Sequence, residues 1–175
     1  MDETERLLRE KIRSIPDYPK KGVLFRDITP LLKDPKGLRT CIEALAGRFK
    51  EDRIDYVAGI EARGFIIGGA LAEKLGVGFV PIRKKGKLPY KKVSVDYELE
   101  YGKETMEVHE DAVEKGRRVL IVDDLLATGG TAGAAAELMK KMGAIVVGFA
   151  FMVELSDLMG RKKLGGARII SLVTY

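Results

Sequence analysis

The chain has 175 residues, 46% of them hydrophobic and 33% charged, with a formal net charge of +5; that mix suits one globular domain with its own core and excludes a disordered chain. No apolar run approaches the roughly 18 residues of a membrane span, and Met1 to Arg13 lacks the apolar centre of a secretory signal, so a cytoplasmic protein with no membrane contact is expected. The single Cys41 excludes an internal disulfide and reads as a packing residue, while the lone His109, expected at the surface, gives no zinc site and no Ser-His-Asp or Cys-His nucleophile.

Asp2 to Ser14 has the spacing of an amphipathic helix, ended by Pro16 and Pro19, and Lys21 to Leu32 reads as irregular. Pro35-Lys36-Gly37 opens a helix to about Lys50. Tyr56 to Ile60 is a short apolar strand, Gly64 to Leu75 a helix of small residues, and Val77 to Ile82 a second strand. Arg83 to Lys92 is basic and carries Gly86 and Pro89, which makes it a loop. Val93 to Val108 alternates and predicts a hairpin of exposed strands around Tyr101-Gly102. Arg118 to Val122 is apolar on both faces, the mark of a central parallel strand. A helix over Thr131 to Met142 and strands over Ile145 to Val153 and Arg168 to Val173 complete an α/β pattern, a mainly parallel central sheet flanked by helices. No repeat or linker divides the chain, so residues 1–175 are expected to form a single domain.

The chemistry concentrates after the central strand. Asp123 and Asp124 stand at its carboxyl end, followed by the small-residue loop Ala127-Thr128-Gly129-Gly130-Thr131 and a helix. Ligands of open α/β sheets bind outside the carboxyl ends of strands. Small residues let backbone N–H groups approach an anion, and the helix N-terminus favours negative charge. The loop therefore suits a monophosphate. The two carboxylates would repel it, but they suit a vicinal diol, whose hydroxyls donate to adjacent acceptors. Diol and phosphate together read as ribose 5-phosphate. No Gly-x-x-x-x-Gly-Lys-Ser/Thr loop is present, and Gly76-Val77-Gly78 precedes a strand rather than opening a helix, so it is no dinucleotide fingerprint.

Val119 to Thr131 resembles the phosphoribosyl-pyrophosphate motif of the type I phosphoribosyltransferases. Gly22 to Ile28, Glu61 to Phe65, Arg83 to Pro89 and Leu99 to Gly102 are similar, in order, to segments of the adenine phosphoribosyltransferase family, and together they span nearly the whole chain. The resemblance implies the type I phosphoribosyltransferase fold, with a hood and a flexible lid loop. It implies a Mg²⁺-dependent enzyme of purine salvage, forming AMP and pyrophosphate from adenine and phosphoribosyl pyrophosphate. Asp123 and Asp124 would hold the ribose, and Ala127, Thr128, Gly129, Gly130 and Thr131 the 5-phosphate. Glu61, Ala62, Arg63, Arg83, Lys84 and Lys87 would serve the pyrophosphate, with a cis peptide in the Glu61–Ala62–Arg63 loop. Leu24, Phe25 and Arg26 would contact adenine, and Tyr101 would cover the site. Glu100, Arg63 and Lys87 would carry catalysis. Mg²⁺ would be held mainly by the substrate, with no direct protein ligand. The resemblance further implies a homodimer and small-molecule substrates rather than nucleic acid. A 6-oxopurine (hypoxanthine or guanine) enzyme, or a non-catalytic regulator that senses purine and phosphoribosyl pyrophosphate on the same fold, are the alternative readings.

Overall fold

The computed structural model describes residues 2–99 and 102–175, without the side chain of Leu99. Five helices and nine strands form two sheets among these residues. Helix α1 (Glu3–Glu10) starts where the Asp2 carboxylate accepts the Glu5 N–H at 2.7 Å, an N-cap. It is shorter than the spacing predicts. Arg13–Pro16 is instead strand β1, paired antiparallel with β2 (Leu24–Asp27) in a separate two-stranded sheet. The segment expected to be irregular thus holds β2 and the short helix α2 (Thr29–Lys33). Their order comes from partners distant in sequence, which local patterning does not encode.

Helix α3 (Pro35–Arg48) is capped by Asp34, which accepts from Gly37 N–H at 2.7 Å, with Pro35 in the first turn. Strand β3 (Tyr56–Ile60) leads through helix α4 (Arg63–Leu75), ended by the left-handed Gly76, into β4 (Gly78–Lys84). The hairpin β5 (Lys92–Leu99) and β6 (Gly102–His109) follows. Strand β7 (Arg118–Leu126), helix α5 (Gly130–Lys141), β8 (Ile145–Glu154), two short 3₁₀ turns and β9 (Ile169–Thr174) complete the chain.

The main sheet runs β5-β6-β4-β3-β7-β8-β9. Strands β4, β3, β7, β8 and β9 pair in parallel, and the hairpin joins β4 antiparallel. The hairpin is therefore not exposed as expected: Val95, Met106 and Val108 are buried in the core. His109 is half-buried rather than at the surface, its ring edge-on to Tyr90 at 5.9 Å. Cys41 packs in the core as expected, and burial pushes its thiol up to about 12.

Each residue of β7 serves one face of the sheet. Val119 and Ile121 pack with α5, and Leu120 and Val122 with α1, α3 and α4. Because α4 covers one face and α5 the other, the chain turns in opposite directions from the neighbouring strands β3 and β7. A crevice opens at that switch point, at the carboxyl ends of the strands. Its floor depends on close packing of α4 on β3. A Cβ on Gly59 would lie 2.7 Å from Phe79 Cε2 and 2.8 Å from the Gly64 carbonyl oxygen. Gly59→Val is expected to destabilise the fold by about 1–3 kcal/mol through overpacking, read as a lower urea midpoint; an unchanged midpoint would contradict this packing.

Candidate functional site

Strand β7 extends beyond the expected end at Val122, because Leu125 and Leu126 still pair with Val153 and Glu154 of β8. Pairing with β3 stops at Val122. Asp123 and Asp124 therefore lie within the strand, on an edge that β3 has left. Both carboxylates line a cavity of about 400 Å³ at the switch point and a neighbouring one of about 200 Å³.

Asp124 is buried, and its Oδ2 accepts from Arg63 Nε at 2.5 Å. Arg63 stands at the start of α4, whose first turn approaches β7 through Gly64. A Cβ on Gly64 would meet the Val122 carbonyl oxygen at 2.9 Å and Asp123 Oδ1 at 3.0 Å. Asp123 Oδ1 accepts the Asp124 N–H at 2.9 Å. Burial, then the adjacent Asp124 charge, holds the Asp123 carboxyl well above the usual carboxylate range.

The opposite wall is cationic. Arg63, Arg83 and Lys84 line the larger cavity. The Glu61–Ala62 peptide is cis, as the resemblance implies. Glu61 accepts from Arg83 Nε and Nη2 at 3.2 and 3.4 Å and from the Lys84 N–H at 3.0 Å. The Arg83 bond chiefly holds its carboxyl below the ordinary range. Lys87 does not line either cavity. It stands in the turn beyond β4, where its carbonyl accepts from Arg83 Nη1 at 3.4 Å.

Leu125 to Ala132 line the smaller cavity together with Arg63 and the two aspartates. Gly129 is left-handed at the N-cap of α5 and offers no side-chain cap, so first-turn N–H groups face the cavity without an internal partner. This loop is pressed from behind. A Cβ on Gly129 would meet the Gly160 carbonyl oxygen at 2.4 Å, and one on Gly160 the Ala127 carbonyl oxygen at 2.2 Å. Arg161 fixes that contact through two 2.6 Å bonds to the buried Glu154. Sequence reasoning passed over Glu154, Gly160 and Arg161, whose pairing is visible only once β8 lies beside β7.

Tyr97, Glu104 and Met106 of the hairpin also line the larger cavity and were not foreseen. Tyr97 donates to Glu104 Oε2 at 2.9 Å, and burial, then that carboxylate, raises its phenol. They share one face with Val95, through the pairs Val95–Met106 and Tyr97–Glu104, and that period-two spacing was the one available signal. Leu24, Phe25 and Arg26 lie outside both cavity linings. Phe25 reaches the rim, its ring 5.9 Å from Arg63 Cζ and edge-on to Tyr18 at 5.2 Å. The Arg26 guanidinium stacks on Tyr175 at 3.6 Å and donates to Ser14 Oγ at 2.5 Å, which leaves the backbone of this strand as its contribution to the rim. Glu100 and Tyr101 lie outside the described residues.

The arrangement can bind a sugar diol, a terminal anion on one side of it and a second, more highly charged anion on the other. Comparison with known proteins agrees. A family model described as a phosphoribosyl transferase domain matches residues 27–164. The adenine phosphoribosyltransferase of Nostoc punctiforme is 58% identical over 170 residues, covering 96% of this chain and 99% of that protein. The crystal structure of adenine phosphoribosyltransferase from Thermoanaerobacter pseudethanolicus superposes with a TM-score of 0.94 at 54% identity, covering 97% of this chain and 99% of that one. That of the Saccharomyces cerevisiae enzyme, complexed with an imino-altritol bisphosphate and adenine, superposes at 0.91 with 41% identity, covering 97% and 98%.

The raised Asp123 carboxyl has a consequence for stability. A carboxyl that titrates higher in the native than in the unfolded chain costs stability as pH rises from the unfolded value through the native one, and the loss is complete above it. Asp123→Asn is therefore expected to melt above the parent at neutral pH, with the gap closing in acid. Thermal melts from about pH 4 to about pH 8 check this; a variant that melts no higher than the parent at the upper end would contradict it.

Proposed function

This chain belongs to the adenine phosphoribosyltransferase family and transfers the 5-phosphoribosyl group of phosphoribosyl pyrophosphate to adenine, and from that premise we propose that the reaction runs in the crevice between β3 and β7. One observation carries the proposal: two adjacent carboxylates sit between a loop of small residues at a helix N-terminus and a cationic wall. That order matches the order of parts in the substrate.

Asp123 and Asp124 accept from the two ribose hydroxyls. The N–H groups of Ala127 to Thr131, with the Thr128 and Thr131 hydroxyls, hold the 5-phosphate at the positive end of α5. The bond from the anomeric carbon to the pyrophosphate oxygen breaks, and the electron pair leaves on that oxygen. Adenine N9 supplies the pair for the new C–N bond, giving AMP and pyrophosphate. Negative charge grows on the leaving group, so fixed cations aimed there lower the barrier. Arg63 keeps its terminal nitrogens for this while Nε stays on Asp124. Arg83, Lys84, Lys87 and the Ala62 N–H complete the set. Glu61 acts by aiming Arg83, since its carboxylate is spent on Arg83 and the Lys84 N–H.

We assign adenine to the rim at Leu24, Phe25 and Arg26. Phe25 is within reach of a purine face, a stacking contact of roughly 1 kcal/mol, and the backbone carbonyls of this strand suit an exocyclic amine. Phe149 to Glu154 supplies no lysine for a 6-oxo group. Adenine attacks through N9 with its proton on N7, Glu100 accepts that proton as the C–N bond forms, and Tyr101 covers the closed site. Mg²⁺ fits this chemistry: the hard carboxylate oxygens of Asp123 and Asp124 stand beside the ribose position, and the substrate itself would hold most of the ion's coordination there. When bound with the pyrophosphate, Mg²⁺ would supply charge neutralisation to the leaving group. We extend the proposal to a single 1–175 catalytic domain, a homodimer and a cytoplasmic site of action.

Incubation with adenine, phosphoribosyl pyrophosphate and Mg²⁺ is expected to yield AMP; turnover of hypoxanthine but not adenine would overturn the base assignment. Glu100→Leu should lower turnover by about 10²–10⁴-fold while calorimetric affinity for phosphoribosyl pyrophosphate stays at the parent value. Unchanged turnover would remove Glu100 from the mechanism.

A further inference from the structure

Glu107, on the interior strand β6, is a buried carboxylate that neither cavity includes, with only 4% of its surface exposed. A buried charge is costly unless its partners repay the desolvation. Here both partners come from the ends of one segment. A single oxygen, Oε2, accepts from the Gly86 N–H at 3.0 Å and from Lys92 Nζ at 3.0 Å. Gly86 lies in the turn after β4, and Lys92 is the first residue of β5. Between them runs Lys87 to Lys91, the part of the basic loop that carries Lys87.

The amino end of that segment is already tight. Lys85 N–H donates to the Thr105 carbonyl at 3.1 Å and Lys87 N–H to the Lys84 carbonyl at 3.3 Å, with Gly86 left-handed at φ 79°. Arg83 Nη1 closes the turn on the Lys87 carbonyl. Arg83 pairs with Glu61 and Lys84 with Glu104, whereas Lys85 and Lys87 make no ion pair within 4 Å among the described residues, although the Lys87 charge is felt at Glu61. Their charge is thus available to an incoming anion, and Glu107 fixes where the turn holds it.

We propose that Glu107 is a positioning residue for pyrophosphate departure: it clamps both ends of the basic segment and thereby presents Lys87 to the leaving group. The inference rests on the assignment of Lys87 to pyrophosphate above. Glu107 itself touches no substrate. Its removal should act on the pyrophosphate side of the reaction and leave the adenine side alone.

A double-mutant cycle on the full chain tests this. Lys87→Ala and Glu107→Leu should each lower kcat/KM for phosphoribosyl pyrophosphate on the order of tenfold, with the KM for adenine within about twofold of the parent. The double variant should be no worse than the worse single one, because the clamp acts through the lysine. Glu107→Gln, which keeps an acceptor for the Gly86 N–H, should recover most of the loss. If Glu107→Leu does not accumulate as folded protein, Lys92→Met, which removes the donor at a side chain only 35% exposed, takes its place in the cycle. Additive losses, or equal losses for both substrates, would overturn the clamp while leaving the Lys87 assignment standing. A silent Lys87→Ala would overturn that assignment and the clamp with it.

Discussion

Asp123 and Asp124 are adjacent carboxylates at the end of an interior strand, where water is scarce and like charges repel. The surroundings answer that repulsion in two different ways. Asp124 is compensated directly by Arg63 at 2.5 Å. Asp123 is not, and receives the neighbouring backbone N–H and little else that is charged. A site that holds one carboxyl above its usual range is poised for a ligand that donates hydrogen bonds. Ribose hydroxyls satisfy the acceptors without adding charge, which a cationic side chain in their place would not do. The unmet acceptors that raise the Asp123 carboxyl are the same feature that makes the diol welcome.

The rest of the crevice is built by packing from behind. Gly59, Gly64 and Gly68 let α4 lie close to β3 and β7, so that Arg63 reaches Asp124. Gly129 and Gly160 bring the segment after β8 against the phosphate loop, and the Glu154–Arg161 pair anchors it. On the hairpin side, Glu107 and Glu61 are acids whose work is to hold basic segments in place. Anion sites are commonly described by their cations, yet here the carboxylates of Asp124, Glu61 and Glu107 set where Arg63, Arg83 and the basic turn stand.

The central strand was legible because both faces of Val119 to Val122 are buried and every position must be apolar. The loop Ala127 to Thr131 was legible as a cavity-lining loop because its residues are small for a reason that is local: the backbone itself must come close to whatever fills the cavity. The family resemblance in turn supplied Glu61 and Arg63 as site residues before any geometry was known. What the sequence hid depends on partners far along the chain. Strand β1 is extended only because Leu24 to Asp27 lies beside it, and α2 follows from that. The extension of β7 to Leu126 exists because β8 continues past β3. Tyr97 and Glu104 enter the cavity through a hairpin that joins the main sheet, where alternation alone suggested two exposed strands.

A crystal soaked with a ribose 5-phosphate compound tests the central claim most directly. The account predicts the two ribose hydroxyls on Asp123 and Asp124 and the phosphate over the backbone of Ala127 to Thr131, with Glu154 and Arg161 unmoved behind it. Density for the ligand at any other surface, with the β7 carboxylates left without it, would contradict it.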